Sequence, residues 1–211
     1  MRLQFSQTEL RDLAVAWLAL ALAFTFFGIA STPGVSIVND GPALFTSGLF
    51  ARAFLVSLLT AGVGFLLHEL AHKVVAIRFG QIAEFRADYP MLALAVGAGV
   101  AGFIFAAPGA VYHGGRPISA RQSGLISLAG PVTNLLIAAV LAPLLLFGGV
   151  LGQIGQVGVW INLLLAGFNM LPFGPLDGRK VFDWSKAVFA VSGAVCIGLG
   201  LVAFLFLVPG F

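Results

Sequence analysis

The stretch AFLVSLLTAGVGFLLHELAHK, Ala53 to Lys73, decides how this chain is read. Its first fifteen residues carry no charge, and its last six bring a histidine, a glutamate, a second histidine and a lysine. At ~1.5 Å per residue the uncharged part of such a helix is about 22 Å long, which puts His68 in the far third of a bilayer core ~30 Å thick. Ionisable side chains within a membrane helix cost roughly 2.5–3.5 kcal/mol each on insertion scales, so they mark function by default. The bland alternative is a helix that has already reached water, with His68, Glu69, His72 and Lys73 as its wet end. The apolar residues Leu70, Ala71, Val74, Val75, Ala76 and Ile77 around them weigh against it.

Composition extends the membrane reading to the whole chain. Of 211 residues 60% are apolar and 9% charged, with a mean hydropathy of +1.05, well outside the soluble globular range. Six apolar runs are visible: Leu13 to Ala30, Phe50 to Val75, Met91 to Ala107, Leu125 to Gly149, Val157 to Leu171 and Ala187 to Val208. The expected fold class is an all-α polytopic membrane protein with five or six transmembrane helices, forming one integral-membrane domain over residues 1–211 with a catalytic core at 50–180. Arg2 and Arg11 precede the first run, whose GIAS end resembles a signal-peptidase site; its length favours a retained span over a cleaved leader. The polar connections are too short for a soluble domain. The eleven basic residues are dispersed over several loops, which excludes the basic cluster that nucleic acid requires. A single cysteine, Cys196, makes no intramolecular disulfide.

Those basic residues act as topology markers, because short cytoplasmic loops carry the excess of lysine and arginine. The connection Ser31 to Leu49 has none, whereas Lys73, Arg78 and Arg86 follow the second run, Arg116 and Arg121 precede the fourth, and Arg179, Lys180 and Lys186 follow the fifth. All three basic loops lie inside only if Met91 to Ala107 enters the membrane and returns to the side it came from. Gly97, Gly99 and Gly102 at its centre permit such a re-entrant turn, against the alternative of an ordinary span with weak charge bias. Between Gln81 and Tyr89 polar and apolar residues alternate, which reads as a strand at the membrane surface or as an amphipathic loop; Gly109 to His113 reads as a second strand.

Histidines at i and i+4 share one helical face and can bind one metal ion, while the intervening Glu69 projects to the side, where it can act on water. HELAH is therefore an HExxH pattern in which His68 and His72 would hold zinc and Glu69 would accept a proton. Catalytic zinc normally takes three protein ligands. The third is open between His113, on a loop, and Asp177, at the end of NMLPFGPLDGRK, where Pro172, Gly174 and Pro175 break the helix and let the carboxylate turn back; the local alternative for Asp177 is a turn or helix cap. Asn134 in SLAGPVTN lies about 15 Å into a helix of opposite direction, where it either donates to an oxyanion or bonds between helices beside a close-packed Gly130. Lys73 is expected to snorkel to lipid headgroups. His68, His72, Asn134 and Asp177 all fall at one membrane depth, and that convergence requires the same re-entrant geometry as the charge rule.

HELAH at His68 to His72, LAGPVTN at Leu128 to Asn134 and NMLPFGPLDG at Asn169 to Gly178 resemble, in order, the three signatures of the site-2 protease family of intramembrane zinc metalloproteases. The resemblance covers roughly Gly64 to Lys180, in a minimal form without the PDZ or CBS domains of many relatives. It implies one Zn²⁺ per chain bound by His68, His72 and Asp177, with Glu69 activating water and Asn134 assisting. It further implies a membrane-associated sheet after the HExxH helix and, as partners, the lipid bilayer and the transmembrane helix of a protein substrate. The expected location is the plasma membrane of a prokaryote, with the active site toward the cytoplasm. The substrate would enter sideways, fray and pair in extended form with an edge such as Gln81 to Tyr89. Two rivals remain at this stage, a membrane metal-binding or transport protein and an inactive scaffold of the same fold. Neither the oligomeric state nor the scissile bond is legible.

Overall fold

A computed structural model describes residues 3–35, 37–104 and 108–207. Among these described residues five helices are long and apolar enough to cross a membrane: α1 (Gln7–Ala30), the continuous rod Gly48–Arg78, the stretch Ala120–Leu146, α7 (Gly149–Asn169) and α9 (Lys186–Phe206). The rod consists of α3 (Gly48–Ser57), a π-helical turn (Leu58–Gly62) and α4 (Val63–Arg78); the third crossing consists of α6 (Ala120–Leu141) and a 3₁₀ turn (Ala142–Leu146). The chain is thus a helical, multi-pass membrane protein. Leu136, Val140, Leu201 and Phe204 stand exposed on these rods, as lipid-facing positions should.

Run boundaries differ from expectation in instructive ways. α7 begins at Gly149 instead of Val157, because Gln153, Gln156 and the glycines of its first turns conceal a helix from a hydropathy reading. The connection after α1 contains α2 (Ile37–Phe45), broken at Gly41 where φ is 51°. The third run is helical only as α5 (Tyr89–Val100), and its end at Ala107 lies outside the described residues, as does Val208 at the end of the last run.

α5 does not cross. Its 12 residues span about 18 Å, well short of a ~30 Å core. On either side of it are the two strands of the only sheet among the described residues, β1 (Ile82–Ala87) and β2 (Gly109–Gly114), paired antiparallel with Ala87 opposite Gly109. The Asp88 N–H donates to the Pro108 carbonyl at 3.0 Å. The chain therefore leaves the sheet at Asp88, runs up α1 and comes back to the same point, which is the re-entrant excursion the charge pattern demanded.

α1 is tied to this sheet by two buried carboxylates. Glu9 accepts from the Phe85 N–H at 3.0 Å, and Asp12 accepts from the Ala87 N–H at 3.2 Å and the Tyr89 hydroxyl at 2.8 Å. The outer edge of β1 is consumed in this way, so it offers no free donor at these positions for an incoming strand; this corrects the expectation that a substrate pairs along Gln81 to Tyr89. Lys73 also departs from expectation. It is 1% exposed, its Nζ lies 2.5 Å from Glu9 Oε2 and 2.7 Å from the Gln4 carbonyl, and it sits 4.2 Å from the centre of the Phe5 ring. A buried partner on α1, 64 residues away in sequence, keeps it from snorkelling.

Candidate metal centre

Midway along α4, His68 and His72 project on one face toward α6. Each ring is held at its Nδ1. That of His68 meets Asn134 Oδ1 at 2.5 Å, and that of His72 meets the Ile126 carbonyl at 2.7 Å. Because both partners accept only, both rings carry their proton on Nδ1 and present the Nε2 lone pair, the arrangement a metal-binding imidazole needs.

Asp177 completes the group. α7 ends at Asn169, the chain turns through Pro172 to Pro175 with Gly174 at φ 61°, and Asp177 begins the short helix α8 (Asp177–Trp184). Its Oδ2 lies 3.3 Å from His68 Nε2 and 3.2 Å from His72 Nε2, and the two Nε2 atoms are 3.0 Å apart. Tetrahedral zinc with ligands at about 2.0–2.1 Å has donor–donor edges of about 3.3 Å. The triangle matches that edge, and the His₂Asp donor set suits zinc, so the residues present fit the ion.

Gly130 on α6 makes the room. A Cβ there would lie 2.5 Å from His68 Cε1 and Nε2 and 2.6 Å from His72 Nε2. The glycine is thus a cradle against the donor atoms themselves.

Glu69 is buried beside the group and accepts from the Val111 N–H of β2 at 3.1 Å. All four side chains line a cavity of about 840 Å³ that runs from Leu20, Phe24 and Phe65 to a polar mouth at Arg86, His113 and Lys180. His113 is not among the clustered donors. It is half-buried in the cavity wall, apart from the three clustered donors, and burial and the nearby Lys180 charge lower its pKa.

Asn134 is fully buried and does not line the cavity. Its Nδ2 is committed to Asn162 Oδ1 at 2.7 Å and the Gly64 carbonyl at 3.3 Å. The expectation of an oxyanion donor therefore gives way to a residue that holds the His68 ring. Sequence reasoning missed Asn162 inside an apolar run, the Ile126 carbonyl and the Glu69–Val111 bond. Only the first left a signal, a lone asparagine in a membrane helix.

Comparison with known proteins points the same way. The chain is 40% identical over 199 residues to the "putative zinc metalloprotease MJ0611" of Methanocaldococcus jannaschii, covering 92% of this chain and 94% of that protein. It is 31% identical over 150 residues to "putative zinc metalloprotease YwhC" of Bacillus subtilis, covering 59% of this chain and 66% of the other. With "putative zinc metalloprotease Rip3" of Mycobacterium tuberculosis it shares 30% identity over 90% of its own length, but spans 49% of that larger protein. No family profile and no solved structure matches the chain.

Proposed function

Because this chain belongs to the site-2 protease family of zinc metalloproteases, we propose that it hydrolyses peptide bonds within the transmembrane segments of other membrane proteins. The observation that carries the reading is the meeting of His68, His72 and Asp177 at zinc-like spacing, with Glu69 beside them, in a cavity sunk among membrane-crossing helices. One zinc ion held by the three would supply a Lewis acid that polarises the scissile carbonyl and makes water a better nucleophile.

The chain's own residues do the rest. Glu69 takes a proton from the attacking water and passes it to the departing amine, as a carboxylate with one oxygen on the Val111 N–H and the other free can do. His68 and His72 keep their lone pairs directed at the site because their Nδ1 protons are engaged elsewhere. The substrate frays and pairs with the outer edge of β2. Gly109 and His113 on that strand line the cavity on either side of Val111, whose N–H Glu69 holds, whereas the β1 edge is occupied by α1 at Phe85 and Ala87. Among the described lysines and arginines Arg52 alone lies at the far end of the bundle. The positive-inside rule then puts the site toward the cytoplasm, in the plasma membrane of a prokaryote.

The test is incubation of the purified protein with a generic transmembrane substrate, with and without a zinc chelator, alongside Glu69→Gln. Cleavage that stops on chelation, and a Glu69→Gln protein that holds zinc without cleaving, are the expected results. Chelator-insensitive cleavage, or a fully active Glu69→Gln variant, sinks the mechanism. Zinc binding with no turnover on several substrates favours the scaffold reading, and readily exchanged metal favours transport.

A further inference from the structure

The ring of His68 is held by a chain of hydrogen bonds that starts on α7. Asn162 Nδ2 donates to the Gly158 carbonyl, one turn earlier on its own helix, at 2.9 Å. That anchors its amide with Oδ1 facing α6, where Oδ1 accepts from Asn134 Nδ2 at 2.7 Å. The second Asn134 hydrogen reaches the Gly64 carbonyl at 3.3 Å. A side-chain amide has a donating end and an accepting end. With its donating end turned to two acceptors, Asn134 has only Oδ1 left for His68 Nδ1, at 2.5 Å.

We propose that Asn162 is a positioning residue of the metal site: through Asn134 it keeps the proton on His68 Nδ1 and so leaves Nε2 free beside Asp177. The consequence for zinc rests on the metal-site reading above, but the tautomer itself does not. Both asparagines are 0% exposed, so water cannot substitute for a lost partner. A second observation points to the same amide. A Cβ on Gly64 would lie 2.6 Å from Asn162 Oδ1 and 3.0 Å from its Nδ2, so α4 is notched one turn before His68 where this group sits. His72 supplies an internal control, because its Nδ1 meets the Ile126 carbonyl and depends on neither asparagine.

An asparagine pair can also simply glue helices together. Glue would act on both imidazoles alike, whereas the relay acts on His68 alone. The deciding measurement is nitrogen NMR of the full-length, metal-free protein labelled at histidine, in detergent, at a pH where the imidazoles are neutral. In the unaltered protein His68 and His72 should both be Nδ1–H tautomers. In Asn162→Leu, His68 should shift to a mixture containing Nε2–H while His72 stays unchanged, and zinc affinity measured against a competing chelator should fall roughly 10–100-fold. If Asn162→Leu does not fold, Gly64→Ala displaces the same amide with one methyl group and should give the same selective change. An Nε2–H His68 in the unaltered protein, an unmoved His68 in the variants, or equal movement of both histidines overturns the assignment. A selective His68 shift in a protein that binds no zinc supports the relay and sinks the zinc reading instead.

Discussion

Gly130→Ala sets two elementary effects against each other. Gly130 lies inside α6, where alanine is preferred over glycine by about 1 kcal/mol, so local propensity alone predicts a slightly more stable protein. The added Cβ, however, would stand 2.5 Å from His68 Nε2 and 2.6 Å from His72 Nε2, and ordinary contact begins at 3.4 Å. Close to 1 Å must be recovered, against the ±0.2 Å or so that a metal–ligand bond tolerates. The rings cannot swing away cheaply. Each is fixed at Nδ1, by Asn134 and by the Ile126 carbonyl, and each lies on the rigid α4. The donor triangle therefore opens, and a zinc affinity loss of at least the 10–100-fold typical of a disturbed supporting residue is expected, or about 1.4–2.7 kcal/mol. Competition against a graded series of chelators reads that loss directly, and thermal unfolding of the metal-free protein reads the helix term separately. A variant that binds zinc as tightly as the unaltered protein would show that the donors do not meet where Gly130 leaves room.

Asp177→Ala should abolish tight zinc binding and His113→Ala should leave one zinc per chain by metal analysis; the reverse pattern refutes the assignment of the third ligand. Lys73→Met strands the Glu9 carboxylate in a buried site and should cost ~3–5 kcal/mol in unfolding experiments, most of it regained when Glu9→Gln is added; equal stability of single and double variants contradicts a buried pair. Val111→Pro removes the one β2 N–H that donates to Glu69. It should lower kcat/KM for a transmembrane substrate by roughly tenfold or more with zinc retained, about what the loss of one such hydrogen bond to a charged group implies. Unchanged turnover argues against the Val111 N–H as a support of Glu69.

How far the sequence could be read has a physical explanation in the membrane itself. A bilayer sorts residues by depth, and depth can be counted along a helix. The HExxH face, the re-entrant α5 and the shared depth of His68, Asn134 and Asp177 were all legible for that reason. What counting does not supply is the direction in which a side chain points around its helix. Depth places Asn134 at the right level but leaves open whether it faces the site or a neighbouring helix: it turns away from the cavity and grips the back of His68. Depth alone likewise makes Lys73 a cation close enough to the headgroups to reach them, although the buried Glu9 of α1 faces it across the bundle.

A polar side chain inside a membrane helix is stable only if it finds another polar group at its own level, because lipid offers none. That rule already linked the histidines to Asp177. The same rule requires a partner for Asn162, two turns before the end of α7, and for Glu9, Asp12 and Lys73, near the start of α1 and in the second half of α4. The structure answers with Asn134 in the first case, and in the second with the backbone of β1 and the Glu9–Lys73 pair. These unabsorbed polar residues are therefore the supports of the site. Asn162 steadies a candidate ligand, and the α1 carboxylates fix the sheet whose other edge faces Glu69. In a chain with only 9% charged residues, each polar group left over after the metal ligands are assigned is better treated as a question about its partner at equal depth than as noise.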